Sequence, residues 1–211
     1  MDVKICGLTT PEAVDAALAG GAAFLGFNFF AASPRSITPE AAARLAQRAR
    51  GEAAIVAVTV DPDDALIDRL RVTLGPDFVQ LHGDESPSRS LDVAQRCKSG
   101  LIKSIPVAEP HDLDRAADFE AVADHLMFDS RPSASADRPG GTGASFDWSM
   151  LAGRRFARPW FLAGGLNPWN VAEAARLSGA PMADVSSGVE RGPGLKDPAL
   201  IRAFLQAARR A

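Results

Sequence analysis

Cysteine is scarce in this chain of 211 residues: only Cys6 and Cys97 occur, far apart and without the paired spacing of a zinc site or a disulfide framework. A reducing compartment suits that composition, and a cytoplasmic location is expected. Histidine is nearly as rare, with His82, His111 and His125 alone, so a metal site built on His and Asp has poor support and no metal is expected. An excess of one charge is also missing. Lys and Arg number 23 against 26 Asp and Glu, a formal charge of -3, and the basic residues are scattered rather than striped. That leaves no electrostatic footprint for nucleic acid. The opening Met1-Asp2-Val3-Lys4 runs straight into a strand pattern, without the basic, apolar and small-residue regions of a signal peptide. One long apolar run exists, residues 16–32, but it is mostly Ala and Gly, and Gly20-Gly21 divides it into a helix end and a strand, so no membrane span is expected.

What is present is ordinary for a folded domain: 46% hydrophobic and 23% charged residues, enough to bury a sizeable core. Short apolar or β-branched runs near 2–6, 23–29, 55–60, 78–81, 101–105, 125–129, 159–163 and 182–185 have the character of strands. Segments of helical period fill the intervals, near 11–19, 39–50, 62–73, 87–97, 110–122, 147–151, 168–177 and 198–209. Eight strands, each followed by a helical segment, predict a closed parallel (β/α)8 TIM barrel over 1–211 as a single domain, and an open doubly wound sheet is the alternative. Thr10-Pro11, Thr38-Pro39, Asp61-Pro62 and Asn167-Pro168 each place a capping oxygen before a proline suited to the first helical turn.

In a barrel of this kind the chemistry sits at the C-terminal ends of the strands, so the last polar residue of each strand is a candidate. In the first strand, Cys6 shares a face with Lys4 by the two-residue period and points into the barrel mouth. A lone Cys is commonly a small buried hydrophobe, and Cys97 keeps that reading. In the sixth, Leu126 and Phe128 suit the helix-packed face and leave Asp129 on the inner one, either as a loop cap or as a working carboxylate. Together Cys6 and Asp129 set a base and an acid on opposite sides of one mouth. Barrel closure brings the eighth strand beside the first, where Lys4 is expected to pair with Asp184.

Backbone N–H groups exposed by glycines after the last two strands make a phosphate cradle, here Gly164-Gly165 and Ser186-Ser187-Gly188. Gly140-Gly141-Thr142-Gly143 ends the long Ser, Pro and Gly-rich segment after the sixth strand, and is either a hinge or a closing loop. Arg35, following Ser33-Pro34, offers a planar fork to a carboxylate, although alone it would be a surface arginine.

The combination of Lys4-Ile5-Cys6-Gly7-Leu8-Thr9, Gly26-Phe27-Asn28-Phe29 with Ser33-Pro34-Arg35, Val79-Gln80-Leu81-His82-Gly83, Gly140 to Gly143 with Phe146-Asp147-Trp148, Leu162-Ala163-Gly164-Gly165, and Asp184 to Glu190 with Pro193-Gly194-Leu195-Lys196-Asp197 resembles phosphoribosylanthranilate isomerases. The likeness spans nearly the whole chain in the family's order. It implies a small phosphorylated substrate, no cofactor, and an Amadori rearrangement of N-(5-phosphoribosyl)anthranilate in tryptophan biosynthesis. It also implies that Cys6 is the general base, Asp129 the general acid, and Arg35 the group that binds the anthranilate carboxylate. Other sugar-phosphate barrels, or a non-catalytic barrel that senses a phosphorylated ligand, are the competing readings. Should Cys6 fail as the base, His82 is the next candidate.

Overall fold

A computed structural model describes residues 1–131 and 145–211. The order is β1 (Asp2–Cys6), α1 (Pro11–Ala19), β2 (Phe24–Asn28), α2 (Pro39–Ala46), β3 (Ala54–Thr59), α3 (Asp64–Thr73), β4 (Phe78–Leu81), α4 (Pro87–Cys97), β5 (Gly100–Val107), α5 (Ala116–Phe119), β6 (His125–Ser130), β7 (Trp160–Leu162), α6 (Val171–Ser178), β8 (Met182–Val185), a hairpin of β9 (Glu190–Gly192) and β10 (Leu195–Lys196), and α7 (Pro198–Ala208). Strands β1 to β8 pair in sequence order, all parallel, and β8 closes on β1 through Asp2↔Met182 to Ile5↔Val185. The expected barrel is therefore the observed one, and the open sheet is excluded. Among the described residues no helix is long and apolar enough to cross a membrane.

Local chemistry starts the helices largely as expected. The Thr10 hydroxyl accepts from Ala13 N–H and the Thr38 hydroxyl from Ala41 N–H, with proline in the first turn of each. Two starts differ. Asp63, not Asp61, caps α3, accepting from Leu66 N–H at 2.8 Å. Proline disfavours the right-handed helical region for the residue before it, and Asp61 instead takes a positive φ of 43°. Asn167 caps only a turn, accepting from Trp169 N–H at 2.9 Å, and the regular helix begins at Val171. Helix α2 stops at Ala46 rather than near 50 because the chain tightens into Arg48 N–H to Leu45 O and Ala49 N–H to Ala46 O bonds. The expected helix over 110–122 is split for a related reason. Asp112 gathers the N–H groups of Ala108 and Glu109 and holds 110–115 as a 3-10 turn, leaving only four α-helical residues.

The two-residue period divides each strand between two cores. Leu126 and Phe128 face the helices, together with Val3, Ile5, Leu25, Phe27, Val79, Leu81 and Leu101. Inside the barrel, Val56, Val58, Ile102, Met127, Phe161, Ala163, Met182 and Cys6 pack together. The lower end is plugged by rings: Phe24 meets Phe78, His125 and Phe161 at centroid distances of 5.8, 5.9 and 5.1 Å. Burial among these rings pushes the His125 pKa down, keeping the plug uncharged. Polarity rises toward the other end, where the period brings Gln80, Asp184, Ser104, Cys6, His82 and Asp129 to the interior. The closed bottom supplies rigidity and the open top supplies chemistry.

Candidate active site

At the C-terminal ends of the strands lies a cleft that opens to solvent, and Cys6, Arg35, Gln80, His82, Asp129, Gly164, Gly165, Asp184, Ser186 and Ser187 are among its walls. Eight of the ten site residues expected from sequence belong to described segments. Of these, seven line the cleft, and Gly188, the next residue after Ser187, is not among its walls. Gly140 and Gly141 lie outside the described residues.

Cys6 ends β1 and is nearly buried. Burial pushes its thiol above the ordinary range, while Lys4 and Lys196 pull the other way. Lys4 is fully buried and its ammonium donates to Asp184 Oδ1 at 2.8 Å, as the closure of β8 on β1 led us to expect. Its charge also acts on the Cys6 thiol, pulling that pKa down against burial. Desolvation works against the Lys4 charge, but Asp184 and Cys6 outweigh it and raise its pKa. The ammonium therefore stays charged beside the thiol, so Lys4 serves both the pair and the candidate base.

Asp129 ends the inner face of β6, mostly buried, with Ser130 N–H donating to its Oδ1 at 2.8 Å. Its other oxygen, Oδ2, lies 3.2 Å from His82 Nε2. The carboxylate thus accepts one backbone N–H with Oδ1 and lines the cleft, its other oxygen toward His82.

Arg35 is almost fully buried, not a surface residue. Its loop is anchored by Ile37 N–H to Asn28 O and by Arg35 N–H to Ser33 Oγ. The guanidinium grips Glu190 with Nε to Oε1 at 2.7 Å and Nη2 to Oε2 at 2.8 Å. Lys196 donates to the same carboxylate at 2.6 Å and to the carbonyl oxygen of Ser186 at 2.8 Å. Burial lowers the Lys196 pKa against the pull of Glu190, and the two cations overcome the burial of Glu190 to hold its carboxyl low. The β9–β10 hairpin, absent from the sequence reading, thus fixes the plane of Arg35 and tethers the loop after β8.

The glycine loops after β7 and β8 are pressed together. Gly164 has φ of +82°, and a side chain there would come 2.7 Å from Ser130 N. At Gly188 any side chain would run into the Leu166 carbonyl. A short 3-10 helix, Ser187–Val189, follows β8, and among the described residues no protein acceptor takes the N–H of Gly165 or Ser187. Two converging turns with unsatisfied donors form the setting an oxyanion or phosphate uses.

Comparison with known proteins matches this architecture. The sequence profile of N-(5'phosphoribosyl)anthranilate (PRA) isomerase matches residues 3–207. The chain belongs to the N-(5'-phosphoribosyl)anthranilate isomerase family. The isomerase of that name from Caulobacter vibrioides is 63% identical, over 99% of this chain and 95% of the relative. A solved phosphoribosyl anthranilate isomerase from Thermotoga maritima superposes with a TM-score of 0.89 at 33% identity, covering 100% of both chains. Another solved isomerase of this kind, holding reduced 1-(o-carboxyphenylamino)-1-deoxyribulose 5-phosphate, superposes with a TM-score of 0.86 at 31% identity, again over 100% of both. The activity that goes with this membership is the isomerisation of N-(5'-phosphoribosyl)anthranilate in tryptophan biosynthesis.

Three features of this isomerase's site escaped the sequence reading. Glu190 and Lys196 lay inside motifs already noted, yet the pairing of Glu190 with Arg35 spans 155 residues and leaves no local signal. The buried pair Lys103–Glu85, at 2.6 Å, was detectable as a lysine within the apolar run Leu101-Ile102-Lys103-Ser104-Ile105. The His82–Asp129 contact joins β4 to β6 across the mouth, which only the closed barrel creates.

Proposed function

We propose that the isomerisation runs by acid and base catalysis between Asp129 and Cys6, with the phosphate of the substrate on the Gly164-Gly165 and Ser186-Ser187-Gly188 turns and its carboxylate on Arg35. The observation that carries this reading is convergence: a thiol from β1, a carboxylate from β6, a pinned arginine after β2 and open N–H groups after β7 and β8 belong to one cleft. The product analogue held by the solved relative carries one phosphate and one carboxylate, in keeping with an anion site at each end.

In the proposed sequence, Asp129 donates a proton to the furanose ring oxygen while the C1–O bond breaks and its electron pair stays on that oxygen. The anilino nitrogen lone pair forms the C1=N iminium. Positive charge at nitrogen acidifies the C2 proton, and the Cys6 thiolate removes it. The C2–H electrons become the C1=C2 bond of an enolamine, which tautomerises to the ketone. Ring opening adds positive charge beside a thiol already flanked by Lys4 and Lys196, favouring its ionised form as the base is needed. Glu190 keeps the Arg35 guanidinium in one plane, which suits two-point recognition of a carboxylate.

The test is steady-state turnover of Cys6→Ala and Asp129→Asn. General acid or base catalysis typically contributes ~10²–10⁴-fold, so each variant should lose at least about a hundredfold in kcat with KM little changed. Near-normal turnover by Cys6→Ala would remove it as the base.

A further inference from the structure

His82 stands across the mouth from the substrate anchors and has no part in the scheme above. Its Nε2 is 3.2 Å from Asp129 Oδ2 and 3.4 Å from Ser104 Oγ, and its Nδ1 faces Gln80 Nε2 at 3.2 Å. The buried Gln80 Oε1 has no partner among the described residues. Under the loop, Lys103 Nζ donates to Gly83 O at 2.7 Å and to Glu85 Oε2 at 2.6 Å, while Gly83 N–H donates back to Glu85. The residue directly after His82 is thereby clamped, and the imidazole is aimed at the carboxylate from a rigid base.

We infer that His82 is a positioning residue that holds, next to Asp129, the proton which Asp129 delivers to the ring oxygen. The inference rests on the acid role proposed for Asp129. A free aspartic acid has a pKa of about 3.9 and a free imidazole about 6.5, so at neutral pH a free imidazole is protonated roughly 300 times more often. A lone carboxyl would seldom carry the proton that ring opening consumes. When the two groups touch, the pair binds one proton as a unit. That proton rests on His82 Nε2, bonded to Oδ2, and shifts to Oδ2 as Asp129 protonates the substrate. The step balances: imidazolium becomes imidazole, Asp129 begins and ends as carboxylate, and the ring oxygen gains one proton. The C2 proton leaves to Cys6, and solvent recharges the pair after turnover.

The surroundings accept both states of the ring. Imidazolium and the neutral ring left after Nε2 gives up its proton both carry N–H at Nδ1, and the Gln80 amide, turned by 180°, meets it with the otherwise unpartnered Oε1; a neutral ring protonated on Nε2 instead takes the Gln80 N–H at Nδ1. The other titratable or charged groups lining the cleft are Cys6 on β1, Arg35 after β2 and Asp184 on β8, with Lys4 and Lys196 behind them. Arg35 is bound to Glu190 and Lys4 to Asp184, so Asp129 is the carboxylate in contact with the ring.

The experiment compares pH profiles of kcat for the unaltered chain, His82→Gln and Asp129→Asn. Glutamine retains an N–H to reach Asp129 but stores no proton. The unaltered enzyme should lose activity on the alkaline side as the pair gives up its proton. In His82→Gln that loss should move to more acidic pH, with kcat at pH 7 falling at least about tenfold and KM unchanged. An unmoved profile with kcat within about twofold of normal overturns the inference. Asp129→Asn separates the two levels: if it retains activity the acid assignment itself fails, whereas a dead Asp129→Asn beside a normal His82→Gln overturns only the role of His82. Should His82→Gln not fold, ring ¹⁵N shifts of His82 in the unaltered chain decide the question. A change from doubly protonated to neutral ring in step with the alkaline limb supports the pair, and a ring that stays neutral across that limb refutes it.

Discussion

Replacing Lys103 by methionine isolates what the buried pair beneath the β4 loop does. Both side chains are only 2% exposed and their charged atoms are 2.6 Å apart. Glu85 also accepts from Asp61 N–H at 2.8 Å and from Gly83 N–H at 3.1 Å, so it is committed to a network and cannot turn to solvent. Methionine fills much of the lysine stem but removes the countercharge and the donor to Gly83 O. Stranding one partner of a buried ion pair typically costs about 3–5 kcal/mol. For a chain of this length about 1 kcal/mol lowers Tm by roughly 2–4 °C, so a fall on the order of 6–20 °C is expected. Urea unfolding at pH 7 provides the free energy and thermal unfolding the second reading. Lys103→Met with Glu85→Leu should recover part of the loss, because two apolar groups leave no orphaned charge. If the single variant loses less than about 1 kcal/mol, the pair does not clamp the loop, and the rigid base argued for His82 disappears with it.

Two further outcomes follow from the cleft. Arg35→Ala should raise KM more than it lowers kcat, and Arg35→Lys should restore it incompletely because a point charge cannot reproduce a pinned planar fork; steady-state kinetics with unchanged KM would take Arg35 out of substrate binding. Burial raises the Cys6 thiol in the folded chain, so its alkylation by iodoacetamide should reach half its maximum above a pH of about 8.5, the half-ionisation point of a free cysteine. Peptide mass spectrometry would follow Cys6 separately from Cys97, and saturating product should protect Cys6. The same sign governs stability. A thiol whose folded pKa lies above its unfolded value keeps its proton longer when folded, so stability is full below the unfolded value and declines as pH rises past it.

The fold was legible because its signals are local and repeated. Cys6 and Asp129 could be placed from the period of two within single strands, and Lys4 with Asp184 from the closure rule applied to β1 and β8. Glycines 164 and 165 were readable from their position after β7. Illegible features depend on distant residues meeting. Arg35 gave no hint of its Glu190 grip, and the β9–β10 hairpin has only two and three residues per strand, too short for any period. Asp61 misled because Asp-Pro and Asp63 offer equivalent caps two residues apart, and only the path of the chain selects between them. Boundaries near 46 and 115 moved because tight turns replaced the last α-helical bonds of α2 and the first ones of the segment that ends in α5, a choice made by packing rather than composition.

The central claim is that two groups on opposite sides of the mouth move two different protons, and the kinetic effect of deuterium at C2 of the substrate tests it most directly. In Cys6→Ser, where the weaker base makes C2 proton removal limiting, the isotope effect on kcat should persist or grow; in Asp129→Asn, where ring opening limits, it should shrink toward unity. An isotope effect that vanishes in Cys6→Ser and is retained in Asp129→Asn would contradict the assignment of base to Cys6 and acid to Asp129.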